Sequence, residues 1–125
     1  MSKPFIKYFD TGSWPVNIGF TSSREAFFKE MKRIKLEDRI EFTVGGHGAT
    51  THILNTDGTR VIIVTLNRKT CPNRSAEAAL VAHEAFHVWE WVCEKMGDEH
   101  PRGEHAAYAV QWITYNILEE LWGKK

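Results

Sequence analysis

Apolar residues in "SSREAFFKEMKRI" recur at Phe27, Phe28, Met31 and Ile34, the spacing of one helix face, so the pattern predicts a first helix there. Ser22 followed three positions later by Glu25 reads as a capping box, and Lys32, Arg33 and Lys35 gather where the helix dipole favours cations. "RIEFTV" then reads as a short strand ending at the glycine-rich "GGHG". "TTHILN" and "RVIIVTLN" are two β-rich runs joined by "TDGT", where Asp57-Gly58 signals a hairpin. The second run is apolar on both faces and belongs inside a sheet. Residues 1–21, punctuated by Pro4, Gly12, Pro15 and Gly19, read as an irregular or extended arm.

A second helix is predicted from an N-cap at Ser75 to a stop at Gly97, and a third from about Glu104 to Trp122, with apolar positions at Ala106, Ala107, Val110, Ile113, Ile117, Leu118 and Leu121. "DEHPRG" is the turn between them. The expected fold is a single α+β domain over residues 1–125, a small sheet of about three strands packed with three helices, the second helix central. No repeat, linker or low-complexity segment divides the chain.

Composition narrows the class. The 125 residues are 42% hydrophobic, with five Trp and seven Phe, which suits one packed core. Lys and Arg total 16 and so do Asp and Glu, so nothing in the charge favours a nucleic-acid or membrane partner. The N-terminus lacks the apolar run of a signal peptide and no stretch is long enough to span a bilayer, so the expectation is a cytoplasmic protein. Cys71 and Cys93 should remain thiols. The helix between them is roughly 27 Å long at 1.5 Å per residue, far beyond the about 7 Å that a disulfide tolerates.

The chemistry concentrates in the second helix. From Ala78 to Trp89 its only polar side chains are His83, Glu84 and His87. A helix so apolar all round should lie in the interior, where unpaired imidazole and carboxylate groups cost several kcal/mol. A metal ion would convert them into ligands. His83 and His87 lie one turn apart and project from one face, and Glu84 stands beside them, within reach of a proton on a metal-activated water. This is the H-E-x-x-H arrangement of zinc peptidases.

A catalytic zinc needs a third protein ligand and an open position. A histidine six residues after His87 is excluded, because Cys93 stands there. The foremost candidate is Glu104, seventeen residues after His87 at the start of the third helix. Ala106 and Ala107 would allow close helix approach, and Tyr108 one turn further on could orient a ligand or stabilise an oxyanion. His105, His100, Asp98 and Glu99 are the rivals, while Glu90 and Glu94 recede along the same helix. His47 or His52, in "GGHGATTHI", could approach a substrate platform, although exposed loop or strand positions account for both.

"HEAFH" followed by Glu104-x-x-Ala107-Tyr108 resembles zincin-like metallopeptidases of the gluzincin type. Together "VNIGFTSSREAFFKEMKRI", "ATTHIL", "HEAFHVWEW" and "EHAAYAVQWI" resemble small phage-encoded HExxH proteins, over most of residues 16–118. The resemblance implies a reduced zincin scaffold binding Zn²⁺ through His83, His87 and Glu104, with Glu84 as general base and a peptide or protein as substrate. It departs from larger gluzincins in lacking a separate C-terminal subdomain. The competing expectation is a non-catalytic binding or assembly module that keeps the metal.

Overall fold

One strand, apolar on both sides, organises the chain into three layers. The computed structural model describes residues 6–35, 40–56, 58–97 and 103–123. Strands β1 (Lys7–Phe9), β2 (Val16–Thr21), β3 (Ala49–Thr56) and β4 (Thr59–Leu66) form a mixed sheet in the order β1-β2-β4-β3. β4 is interior, parallel to β2 and antiparallel to β3. Its Val61 and Ile63 face helix α1 (Arg24–Arg33), meeting Phe27, Met31, Phe42 and Leu54. Its Ile62, Val64 and Leu66 face helices α2 (Arg74–Met96) and α3 (Gly103–Trp122), meeting Val81, Ala85, Val88, Val92, Ile113 and Ile117. Each large apolar side chain so enclosed contributes about 1.5–3 kcal/mol. The fold is therefore α+β, with four strands where about three were expected, and α2 and α3 share one face of the sheet, α2 over β3 and β4.

The arm read as irregular or extended supplies β1 and β2. Gly19, taken as punctuation, sits inside β2 because a Cβ there would lie 2.9 Å from the Tyr8 ring carbons Cδ1 and Cε1. The tyrosine crosses the backbone at that point and its hydroxyl donates to Glu30 of α1 at 2.5 Å. The strand expected at "RIEFTV" does not form over its described residues, 40–44. Residues 40–43 have no regular structure, and Val44–Gly46 is a short 3₁₀ turn. The Phe42 carbonyl takes hydrogen bonds from Thr65 Oγ1 and His52 Nε2 instead of from a neighbouring strand.

The helix ends shift by one or two residues. Ser23 rather than Ser22 caps α1, accepting from Ala26 N at 3.0 Å, and Asn73 rather than Ser75 caps α2, accepting from Ala76 N at 2.9 Å. Gly97, at φ 85°, ends α2 in the left-handed conformation expected of a terminal glycine. The hairpin falls where "TDGT" placed it, with Thr56 paired to Thr59; Asp57 lies outside the described residues. Cys71 and Cys93 form no disulfide. Among the described residues no helix is long and apolar enough to cross a membrane.

Two buried titratable groups tie the layers together. Glu77 of α2 accepts from Arg68 Nε at 2.7 Å and from Trp122 Nε1 of α3 at 2.9 Å, joining the start of α2 to the end of α3. The Arg68 hydrogen bond holds its carboxyl below the usual 4.5. His52 is enclosed beneath β3, its ring 4.7 Å from that of Phe27, and burial pushes its imidazole below the usual 6.5. It is a packed core histidine, not the exposed residue expected.

Both shifts give the same sign. The unfolded chain binds protons first, so stability is complete above pH 6.5 and falls as the pH drops toward the lowered His52 value. The Glu77 contribution is complete above pH 4.5 and is lost as the pH falls through its lower folded value. Urea melts across this range should show both losses, with His52→Gln flattening the upper and Glu77→Gln the lower. Separately, Gly19→Ala should cost about 1–3 kcal/mol in the same melts, because the Tyr8 ring must move.

Candidate functional site

Helix α2 buries one face, and its rotation on the sheet decides where its polar groups point. Val81, Ala85, Val88, Trp89 and Val92 are inside. With about 100° per residue, His83 and His87 then fall on the opposite, outward face. His83 is exposed, and 44% of the His87 side chain is exposed. Phe86, at 46%, and Trp91, at 38%, are exposed beside them. The expectation that α2 is interior all round is thus corrected. The sheet and α3 cover only part of its circumference, and the histidines stand at a rim open to solvent.

Glu84 takes the boundary position between those faces and is 7% exposed. Its Oε1 accepts a hydrogen bond of 2.6 Å from Thr51 Oγ1 of β3. Strand alternation explains the pairing: Thr51 faces α2, while the next residue, His52, faces α1. His52 is consequently on the wrong side of the sheet for the cleft. His47 is exposed at the end of the 3₁₀ turn and does line the cleft, as the bland loop position and the platform role both allow.

The two imidazoles converge. Nε2 of His83 and Nε2 of His87 lie 3.2 Å apart, with the rings at 74°. Two nitrogens bound to one tetrahedral zinc at about 2.0–2.1 Å would be separated by about 3.3 Å. The spacing of the pair therefore matches that of two corners of such an ion. On the other side of its ring, His87 Nδ1 is 3.0 Å from Glu90 Oε1. The pair, Glu84, His47, Val44, Thr51 and Trp91 surround a cavity of about 280 Å³ against the sheet edge.

The expected third ligand is elsewhere. α3 buries Ala106, Ala109, Ile113 and Ile117. Glu104 and Tyr108, one turn apart, share the opposite face, where Glu104 is exposed and Tyr108 is 65% exposed. Among the described residues no three His, Cys, Asp or Glu side chains are close enough together to hold a metal ion. The structure thus brings together His83, Glu84 and His87 but neither Glu104 nor Tyr108. The reason is the phase of α3, in which Ala106 and Ala109 turn inward while Ala107, expected at the helix contact, is exposed with Glu104. Tyr108 and His105 line a separate cavity of about 640 Å³ with Trp14 and Trp112. His105 packs on Trp89, on the far side of α2 from the histidine pair, at a ring distance of 5.3 Å. Asp98, Glu99 and His100 lie outside the described residues.

Three cleft residues escaped the sequence reading. Glu90 was read as receding, yet its i+3 spacing from His87 is a legible signal for contact across one turn. Trp91 flanks the cleft, and its ring lies 5.5 Å from the Arg60 guanidinium. Thr51 carries no motif, and only its strand partner and face identify it. Comparison with protein-family models, with curated proteins and with solved structures finds no match to this chain.

Proposed function

We propose that the chain is a zinc-dependent peptidase working at the cleft between α2 and β3. The carrying observation is the 3.2 Å approach of the His83 and His87 Nε2 atoms next to the buried carboxylate of Glu84. His83 and His87 would hold the ion at two corners. A bound zinc ion supplies a Lewis acid that polarises a carbonyl and acidifies water.

The chain's own groups account for the remaining steps. Thr51 fixes Glu84 through Oε1, which leaves Oε2 to take a proton from the attacking water and return it to the departing amine. β3 is at the edge of the sheet, with β4 as its strand partner, so an extended peptide can add alongside it through backbone hydrogen bonds. Val44, 48% exposed, and Trp91 offer apolar contact to its side chains. The substrate class is accordingly peptide or protein.

Glu84→Gln keeps the shape of the carboxylate and its acceptor for Thr51 but removes the base. Cleavage of unfolded protein substrates should fall at least about 100-fold, while zinc bound per chain, read by elemental analysis, stays unchanged. His83→Ala or His87→Ala should lose both zinc and cleavage. Wild-type cleavage rates in Glu84→Gln would reject the role given to that residue.

The outward position of Glu104 favours a second reading, a non-catalytic module in which the metal site and the exposed Phe86, Trp91 and Val44 engage a protein partner. Under that reading the wild type takes up zinc yet cleaves no more than Glu84→Gln, and partner binding survives that substitution.

A further inference from the structure

We propose that the second cavity, of about 640 Å³ between α3 and the loop from β1 to β2, binds a small molecule carrying a methylated ammonium group. It shares no lining residue with the cleft at β3, so the inference stands apart from the zinc reading.

The walls are aromatic, and they come from both elements. In α3, Tyr108, Trp112 and Tyr115 recur at i, i+4 and i+7 and so form one stripe along the cavity. Ala109, buried and small, also lines it and leaves space that a larger side chain would fill. Trp14 meets the stripe from the loop, its ring centroid 5.4 Å from that of Trp112 with the planes at 82°. Two indoles nearly at right angles make a corner, not a stack. Tyr108 and Tyr115 are 65% and 62% exposed, so packing leaves most of their surface open to a ligand. The loop is fixed in advance. Asp10 Oδ1 accepts from Gly12 N at 3.0 Å, and Trp14 N donates to Thr11 O at 3.2 Å.

The charge on the walls selects the ligand. An aromatic ring is negative on its faces, so four rings gathered around one space favour a cation. Asp10 adds a carboxylate, and no Lys or Arg is among the described lining residues. His105 is the other lining group that ionises near neutral pH. An anion would meet the carboxylate and the ring faces together. A bare ammonium holds its water tightly, whereas N-methyl groups give up water readily and cover apolar ring surface. A methylated cation therefore satisfies both features of the wall. The volume also lies within the range of small-molecule sites, about 300–1,000 Å³.

The test is a choline titration of the full chain, followed by ¹⁵N–¹H NMR of the indole groups above the ordinary histidine titration range. Choline should shift the Trp14 and Trp112 signals saturably and leave that of Trp91, at the other cleft, in place. The neutral isostere of choline, with carbon in place of nitrogen, should bind at least about fivefold more weakly. Asp10→Asn keeps an oxygen for Gly12 N but removes the charge, and Tyr115→Ala removes one ring. Each should weaken choline binding about threefold, and both positions are exposed, so the variants should fold. Absence of a saturable shift with choline, or equal binding of the isostere, overturns the inference. So does movement of the Trp14 and Trp112 signals on dilution without ligand, which would place a second copy of the chain over the cavity.

Discussion

The rotational setting of α2 against the sheet is the constraint on which the cleft depends. Val81, Ala85, Val88 and Val92 form the buried stripe, and the Thr51–Glu84 hydrogen bond fastens its margin to β3. A helix has one degree of freedom about its axis, so fixing the stripe also fixes the opposite side. His83 and His87 must then face outward, one turn apart, along the free edge of the sheet. Turning α2 by one residue, about 100°, would either bury an imidazole against β4 or expose Glu84. The carboxylate and the imidazoles hold different environments because apolar packing assigns them to different sides.

This arrangement differs from the picture of charged groups stranded in a core and rescued by a metal. The histidine rings lie against each other, and His87 against Glu90, at an open rim, and only Glu84 is enclosed. An ion held there, as proposed, would keep positions open to water. Exposure also lowers the energetic value of the Glu90 contact, since water competes for both groups. Its value lies in orientation, which solvent does not cancel. The apolar side chains at the rim, Phe86, Trp91 and Val44, give the cleft a surface that a side chain of a bound peptide can cover.

Much of this could be read from the residues, and the failures have physical causes. The central position of β4 followed from apolar residues on both of its faces, and the hairpin from Asp57-Gly58. The convergence of His83 and His87 followed from the four-residue spacing. β2 was missed because Gly19 resembles a breaker until the Tyr8 ring that crosses it is known. The strand assigned to "RIEFTV" failed because Phe42 finds hydrogen-bond partners in side chains, which no local pattern reveals. Glu104 and Tyr108 were correctly placed on a common face of α3, but which face meets α2 depends on tertiary packing. Ala106 and Ala109 turn inward and leave those two outside. His52 shows the same limit in a strand, where a shift of one residue from Thr51 changes the side of the sheet.

Everything chemical rests on His83 and His87 gripping one ion through their Nε2 atoms. X-ray absorption at the zinc edge of the loaded, tag-free protein measures this directly. The account predicts two imidazole nitrogens at about 2.0–2.1 Å, with oxygen completing the shell and no sulfur, and loss of the imidazole scattering in His83→Ala. A spectrum with one imidazole or none, or one dominated by thiolate, would contradict it.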